Sequence, residues 1–124
     1  MSSPAVVVDR VWKFYGDFPA LRDISLEIHS GTCTALLGRN GAGKTTLLRT
    51  IAGLSRAARG SVSIFGGDVR KEDTRRRLGV LGHAIGIYDE LTAIENLRLF
   101  ARLYNISNAD ASAARWLERV GLER

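Results

Sequence analysis

The sequence predicts an α/β fold, and three observations carry that expectation. Short apolar runs, several alternating with polar residues and bounded by glycine, recur through residues 5–81. From Thr92 onward the apolar residues fall instead at helical spacing. Within the first region a glycine-rich turn at 38–43 joins an apolar run, Thr34-Ala35-Leu36-Leu37, to a helix-like run, Thr46-Leu47-Leu48-Arg49-Thr50-Ile51-Ala52.

Residues 5–13 are valine-rich and read as a strand, with a turn at Gly16-Asp17. Ile24, Leu26 and Ile28 alternate with Ser25, Glu27 and His29, the period of a half-buried strand that Gly31 ends. Residues 32–37 are expected as the strand before the glycine-rich turn, and a helix from Lys44 closes near Gly53, a C-terminal cap. Ser61-Val62-Ser63-Ile64 alternates again and stops at Gly66-Gly67. A short charged helix around 71–77 precedes a short apolar strand, Leu78-Gly79-Val80-Leu81. Thr92-Ala93-Ile94-Glu95 has the form of a capping box, in which Thr92 accepts from the Glu95 amide and Glu95 reaches back. Ile94, Leu97, Ala101 and Tyr104 then line one helix face to about residue 105. Ser107-Asn108-Ala109-Asp110 is expected to start a second helix in the same style, with Ala113, Trp116, Leu117 and Val120 as its stripe and Gly121 as its end.

The turn carries the chemistry. Gly38-Arg39-Asn40-Gly41-Ala42-Gly43-Lys44-Thr45 fits the phosphate-loop pattern Gly-x-x-x-x-Gly-Lys-Ser/Thr at every defined position. Backbone amides in such a loop turn inward to make a concave anion site, and the helix N-terminus adds unpaired donors and partial positive charge. Glycines allow positive φ and close approach to phosphates. Lys44 reaches the terminal phosphates and the Thr45 hydroxyl holds Mg2+. A glycine-rich turn before an ordinary helix explains the glycines, but not Lys44-Thr45 between those flanks.

The 124 residues suffice for one domain with a core, at 45% hydrophobic and 25% charged. No apolar run approaches the ~20 residues that cross a bilayer. Met1-Ser2-Ser3-Pro4 lacks the basic-then-apolar form of a secretory signal, so the expected location is cytoplasmic. Cys33 is the single cysteine, which rules out an internal disulfide, and it is expected as a small buried residue of the 32–37 strand. The net charge of +5 rests mostly on arginine. Its one tight cluster, Arg75-Arg76-Arg77, stands beside Lys71, Glu72 and Asp73 with no aromatic residues interleaved. A solvated helix face is therefore favoured over a nucleic-acid surface, with contact to an anionic membrane surface as a further reading.

Together these segments resemble the nucleotide-binding domain of ATP-binding-cassette (ABC) proteins. Residues 38–46, Gly-Arg-Asn-Gly-Ala-Gly-Lys-Thr-Thr, are close to that family's usual phosphate loop. Lys13-Phe14-Tyr15-Gly16 looks like its aromatic loop, and Ala20-Leu21-Arg22-Asp23-Ile24-Ser25-Leu26 like the strand that follows. Residues 60–69 look like the strand and turn after the first helix, and residues 91–97 like the start of the helical subdomain. The resemblance implies a P-loop nucleoside triphosphatase of the α/β class, a partial ABC ATPase domain. Residues 1–91 are then the N-terminal part of the ATP-binding core with its β-subdomain, and 92–124 the start of the helical subdomain. By the same match Tyr15 stacks on adenine, with Phe14 the neighbouring candidate. Gly38, Arg39, Asn40, Gly41, Ala42 and Gly43 wrap the phosphates, Lys44 neutralises developing charge, Thr45 ligates Mg2+ and Thr46 contacts the α-phosphate. The implied cofactors are ATP and Mg2+. The implied partners are a transmembrane permease subunit and a second ATP-binding subunit, on the cytoplasmic face of the cell membrane, with nucleic acid disfavoured as a partner.

One departure concerns catalysis. Most ABC domains carry Gln after the strand matched here by Leu78–Leu81, whereas Val80-Leu81-Gly82-His83 puts His83 in that place. A neutral imidazole cannot reproduce an amide's simultaneous donor and acceptor, and it titrates near neutral pH. His83 stands either as a counterpart of that Gln or as a loop residue satisfied by backbone. Gly82-His83, followed by the stretch Glu90–Leu97, resembles more specifically the haem-exporter ATP-binding subunit of cytochrome c biogenesis.

The family's Leu-Ser-Gly-Gly-Gln motif, its strand ending in Asp-Glu and its later switch histidine do not occur in the sequence. The expectation is a truncated chain without the second half of the domain, which folds poorly or depends on a complementary polypeptide, and does not hydrolyse ATP alone. Glu90 and Glu95 are accounted for by surface and capping roles, so neither is assigned as a base. Three alternatives stand beside this reading: a non-catalytic nucleotide-binding or interaction module, a non-transport ABC ATPase acting on nucleic acid, and a small-molecule kinase or GTPase, against which the Tyr15 environment favours adenine.

Overall fold

A computed structural model describes residues 3–83 and 86–123; Met1, Ser2, Ala84, Ile85 and Arg124 lie outside the described residues. The chain divides into two compact units, one up to Val80 and the other from Leu81.

In the first unit the valine-rich start forms β1 (Pro4–Tyr15), which turns at Gly16 into β2 (Phe18–His29). β3 (Arg59–Ile64) and β4 (Gly67–Asp68) complete a sheet of order β2-β1-β3-β4, antiparallel throughout. The alternation read in β2 holds: Ile24, Leu26 and Ile28 are half-buried while Ser25, Glu27 and His29 are exposed. Val8 pairs with both Leu26 and Val62, and Val6 with Ile64, so the apolar side chains meet across the strands.

Val8 and Val11 are both fully buried although three residues apart, a spacing that a regular strand sends to opposite faces. A bulge resolves this. Arg10 adopts φ 48°, its amide donates to Ser25 Oγ at 2.9 Å, and the register shifts between Val8 and Val11. Gly60 (φ 79°) lies against the bulge from β3. A Cβ there would fall 2.4 Å from the Asp9 carbonyl oxygen and 2.3 Å from that of Arg10.

The helix α1 (Lys44–Ile51) packs its Leu47 and Thr50 against the sheet, in a core with Val8, Val11, Leu21, Val62, Ile64 and Val69. Gly53 ends it as expected. The Gly53 amide donates to Thr50 O and the Leu54 amide to Arg49 O, the paired bonds of a glycine-closed helix end. The charged helix α2 is short (Glu72–Arg75). Its arginines are engaged locally: Arg75 donates to Arg70 O at 2.6 Å, Arg76 pairs with Glu72 at 2.8 Å, and the Arg77 guanidinium lies 4.4 Å from the Phe65 ring centroid.

Two expected strands are absent among the described residues. Neither 32–37 nor 78–81 joins a ladder, and Leu37, Val80 and Leu81 are 88%, 59% and 99% exposed. A strand exists by pairing, and no described segment pairs with either run. For the same reason Cys33, expected to be buried, is exposed.

In the second unit α3 (Ala93–Leu103) begins with the expected capping box. The Glu95 amide donates to Thr92 Oγ1 and the Thr92 amide donates to Glu95 Oε2 at 2.8 Å, which also holds the Glu95 carboxyl below its ordinary range. α4 (Ala109–Arg119) starts differently from the expectation. Asn108 caps it in the left-handed conformation (φ 54°) with no side-chain bond. Gly121 ends α4, with Leu122 donating to Leu117 O. Ala101, Ala113 and Leu117 are buried between the two helices, and Arg98 meets Asp110 at 2.9 Å. Trp116 and Val120, expected in the apolar stripe, are 50% and 64% exposed; they flank an apolar groove of about 470 Å³ with Leu91 and Leu97.

Two outcomes follow from these contacts. Gly60→Ala is expected to lower stability by about 3 kcal/mol or more, read by denaturant unfolding, because the backbone conformation and two carbonyls both oppose a Cβ. Asp68 is held at about 2, mainly by the Arg70 guanidinium and then by the Arg70 amide. A carboxyl so depressed stabilises the fold fully above its ordinary value of 3.8 and loses that contribution as pH falls toward about 2. Asp68→Asn is expected to remove that part of the acid slope in unfolding measured between those limits.

Candidate functional site

The glycine-rich turn bends where its sequence requires. The Ala42 amide donates to Arg39 O at 3.1 Å, and Gly41 and Gly43 take φ 84° and 96°. Gly43 caps α1 in the left-handed region without a side-chain bond, and the first helical bond runs from the Leu47 amide to Gly43 O at 2.8 Å. Amides ahead of Leu47 therefore have no partner within the helix, and the first turn carries no acidic residue. The helix end presents donors and partial positive charge with no carboxylate of its own competing for them.

A glycine at 43 is also required by packing. A Cβ there would lie 2.8 Å from the Ala20 carbonyl oxygen and 3.2 Å from Leu21 Cδ2. The close approach lets β2 lie directly against the start of α1.

Of the side chains named from the sequence, Lys44, Thr45, Thr46 and Tyr15 gather around this helix end. The Lys44 ammonium folds back to donate to Gly38 O and, at 2.9 Å, to Arg39 O. It thereby spans the loop whose carbonyls an anionic ligand would compete with. Arg39, Asn40, Gly41 and Ala42 are exposed, as is Thr45 on the first turn. Tyr15 comes in from the β1–β2 hairpin, 53% exposed, with its hydroxyl 3.4 Å from Thr46 Oγ1. Thr46 in turn offers its carbonyl to Thr50 Oγ1 at 2.7 Å. Phe14, the neighbouring aromatic candidate, is half-buried and stacks on Trp12 at 5.9 Å between centroids. His83 is exposed and belongs to the second unit.

These residues suit a nucleoside triphosphate with Mg2+. Anion donors, an ammonium and an accessible aromatic face stand on one helix end, and Thr45 offers a hydroxyl to a cation that typically keeps waters and phosphate oxygens as its other ligands. No group of three or more His, Cys, Asp or Glu with metal-binding placement occurs among the described residues.

Two placements, one beside this helix end and one within the second unit, escape sequence reasoning. Lys13 donates to Arg56 O at 2.8 Å and stands 5.8 Å from the Tyr15 ring centroid; in the sequence it is one lysine among many charges. Asn96 is buried inside the apolar face of α3, and its amide bonds Tyr88, Leu91 and Thr92 main chain. A polar residue interrupting an apolar stripe just after a capping box is the signal that marks it.

The ABC transporter family model matches residues 21–124. The chain belongs to the ABC transporter family. Its phosphate loop and helical pair lie inside the matched region. The chain is 44% identical over 97 residues to the ABC transporter ATP-binding protein NatA of Bacillus subtilis, covering 76% of this chain and 39% of that protein. It is 40% identical over 126 residues to the daunorubicin resistance ATP-binding protein DrrA3 of Streptomyces coeruleorubidus, covering 98% and 40%. Other ABC relatives are named for Nod factor export and for sulfate/thiosulfate import. The chain thus spans about two fifths of the length of NatA and DrrA3.

Among solved structures, the ATP-binding subunit of an ABC transporter superposes with a TM-score of 0.86 at 32% identity, over 97% of this chain and 52% of that one. A dimeric ATP-binding cassette in a post-hydrolysis state, bound to ADP and Pi, superposes with a TM-score of 0.78 at 26% identity, over 91% and 56%. The ABC ATPase, P-loop α/β fold is therefore shown. Among the described residues no helix is long and apolar enough to cross a membrane.

Gly43→Ala is expected to destabilise the first unit by about 2 kcal/mol or more through strain at φ 96° and the Ala20 carbonyl. Thermal unfolding beside nucleotide titration checks it: affinity falls together with the midpoint, because the loop and the helix start move as one.

Proposed function

We propose that this chain is the phosphate-loop part of an ABC transporter ATP-binding subunit, whose intact form couples ATP binding and hydrolysis to membrane transport. The observation that carries the reading is the convergence of Lys44, Thr45, Thr46 and Tyr15 on the N-terminal turn of α1. Tyr15 offers its ring to adenine, and the loop amides from Gly38 to Gly43 hold the phosphates. Lys44 moves its ammonium from the Gly38 and Arg39 carbonyls to phosphate oxygens. Thr45 turns its hydroxyl to Mg2+, and Thr46 lies toward the α-phosphate. When bound, ATP with Mg2+ supplies the phosphoryl group that is transferred to water. This chain's own part is positioning and charge neutralisation, the two main needs of that reaction.

The partners of the intact protein are a transmembrane permease and a second ATP-binding subunit, on the cytoplasmic face of the membrane. Residues 92–124 are the start of the helical subdomain, and His83 stands in the place of the family's Gln. Haem export for cytochrome c biogenesis draws no support from the relatives described above, which are named for daunorubicin resistance, Nod factor export and sulfate/thiosulfate import. The cargo is accordingly left unassigned, and nucleic acid is not favoured as a partner.

A second reading applies to the 124-residue chain by itself: it binds nucleotide without turnover. What favours it is the engagement of Glu95 in its helix cap and the lack of an acidic residue in the first turn of α1. Calorimetric titration with Mg–ATP beside a steady-state phosphate-release assay tests both readings. Binding is expected, and Lys44→Ala is expected to weaken it roughly tenfold to a hundredfold, the loss of charge-assisted bonds. Unchanged affinity in Lys44→Ala overturns the assignment of the loop.

A further inference from the structure

We propose that Lys13 is a positioning residue for the adenine platform, holding the Tyr15 ring at a set place near the start of α1 and placing a positive charge close to it. The proposal rests on the reading of Tyr15 as the base-stacking residue. It goes beyond that reading by assigning support of base stacking to Lys13.

Three contacts carry it. The Lys13 ammonium donates to Arg56 O at 2.8 Å, on the segment just after α1, and the Ala58 amide donates to Trp12 O at 2.7 Å beside it. The end of β1 is therefore fastened beyond the C-terminal end of α1. Two residues along the strand, the Tyr15 hydroxyl meets Thr46 Oγ1 at the helix start at 3.4 Å. The same ammonium lies 5.8 Å from the Tyr15 ring centroid, within the range of a cation–π contact. Lys13 is half-buried, whereas Tyr15 keeps 53% of its surface open.

The geometry acts like a ruler. A nucleotide has a fixed span from base to phosphates, so a stacking ring and a phosphate loop on different elements must be held in register. Tying β1 to both ends of one helix does this. A cation drawing on the ring's π density also makes the ring a better partner for an electron-rich purine, because stacked rings repel through their negative faces. Arg59 and Trp12 make a similar cation–ring contact, at 5.9 Å, but Trp12 is engaged with Phe14 and does not meet the loop.

The test compares affinity for Mg–ATP with affinity for Mg–tripolyphosphate, which lacks a base, in the full 124-residue chain by calorimetry. Lys13→Met is expected to lower the ATP-to-tripolyphosphate affinity ratio about threefold to fivefold, the scale of one exposed cation–π contact. Lys13→Arg, which keeps charge and donor, is expected to restore it. A ratio that stays at the wild-type value in Lys13→Met, or equal loss for both ligands, overturns the proposal by making Lys13 a structural tie only. Should Lys13→Met fail to fold, Lys13→Gln keeps a donor and removes the charge, and the same ratio decides in the same way. Tyr15→Ala separates the two levels. If it leaves the ratio unchanged, the stacking role of Tyr15 itself falls; if it lowers the ratio while Lys13→Met does not, only the role of Lys13 falls.

Discussion

The first unit depends on how closely α1 approaches the sheet at its own N-terminus. α1 has eight residues, too few to be stable alone in water, so tertiary burial must hold it. Leu47 and Thr50 supply that burial, with a side chain such as Leu47 contributing about 2 kcal/mol by leaving water. The approach is possible because Gly43 puts no Cβ against the Ala20 carbonyl. The glycine that allows the helix to dock is also the one whose left-handed conformation turns the chain from the loop into α1. Core packing and the proposed anion site thus share one backbone conformation.

The distribution of charge follows a related economy. A chain with net charge +5 is rich in cations, yet the arginines around α2 are engaged by carbonyls, carboxylates or a ring. Such exposed pairs add little stability one by one. Their effect is to hold these guanidinium groups in local contacts, with Arg76 paired to carboxylates. At the phosphate loop the arrangement is different. Among the described residues Lys44 is held by main-chain carbonyls, which a phosphate can replace, and no acid sits in the first turn of α1. Availability, more than the number of cations, separates the site from the rest of the surface.

Local rules made much of this legible in advance. The hairpin, the alternation in β2, the glycine-closed end of α1 and the Thr92–Glu95 box each depend on residues close together in the chain. Readings failed where the answer lies with distant segments. Residues 32–37 and 78–81 have strand-like patterns but no paired neighbour among the described residues, and Cys33 in the first of them is exposed. Asn108 has a capping residue's identity but adopts a left-handed turn that leaves its side chain out of the cap. Burial of Val8 and Val11 on one side was hidden because a bulge, set by Gly60 and Ser25 on the two flanking strands, changes the phase of β1.

The sequence by itself determined the phosphate loop, the residues that flank it and the order of most elements, because these rest on spacing along the chain and on conformations that only certain residues accept. Only the tertiary structure decided that Tyr15, not Phe14, meets the helix start, that the Lys13 ammonium lies 5.8 Å from its ring centroid, and that Asn96 is buried against the preceding turn. Those outcomes require segments far apart in the chain, or opposite faces of one strand, to be placed against each other, and spacing along a single stretch of chain carries no information about that placement.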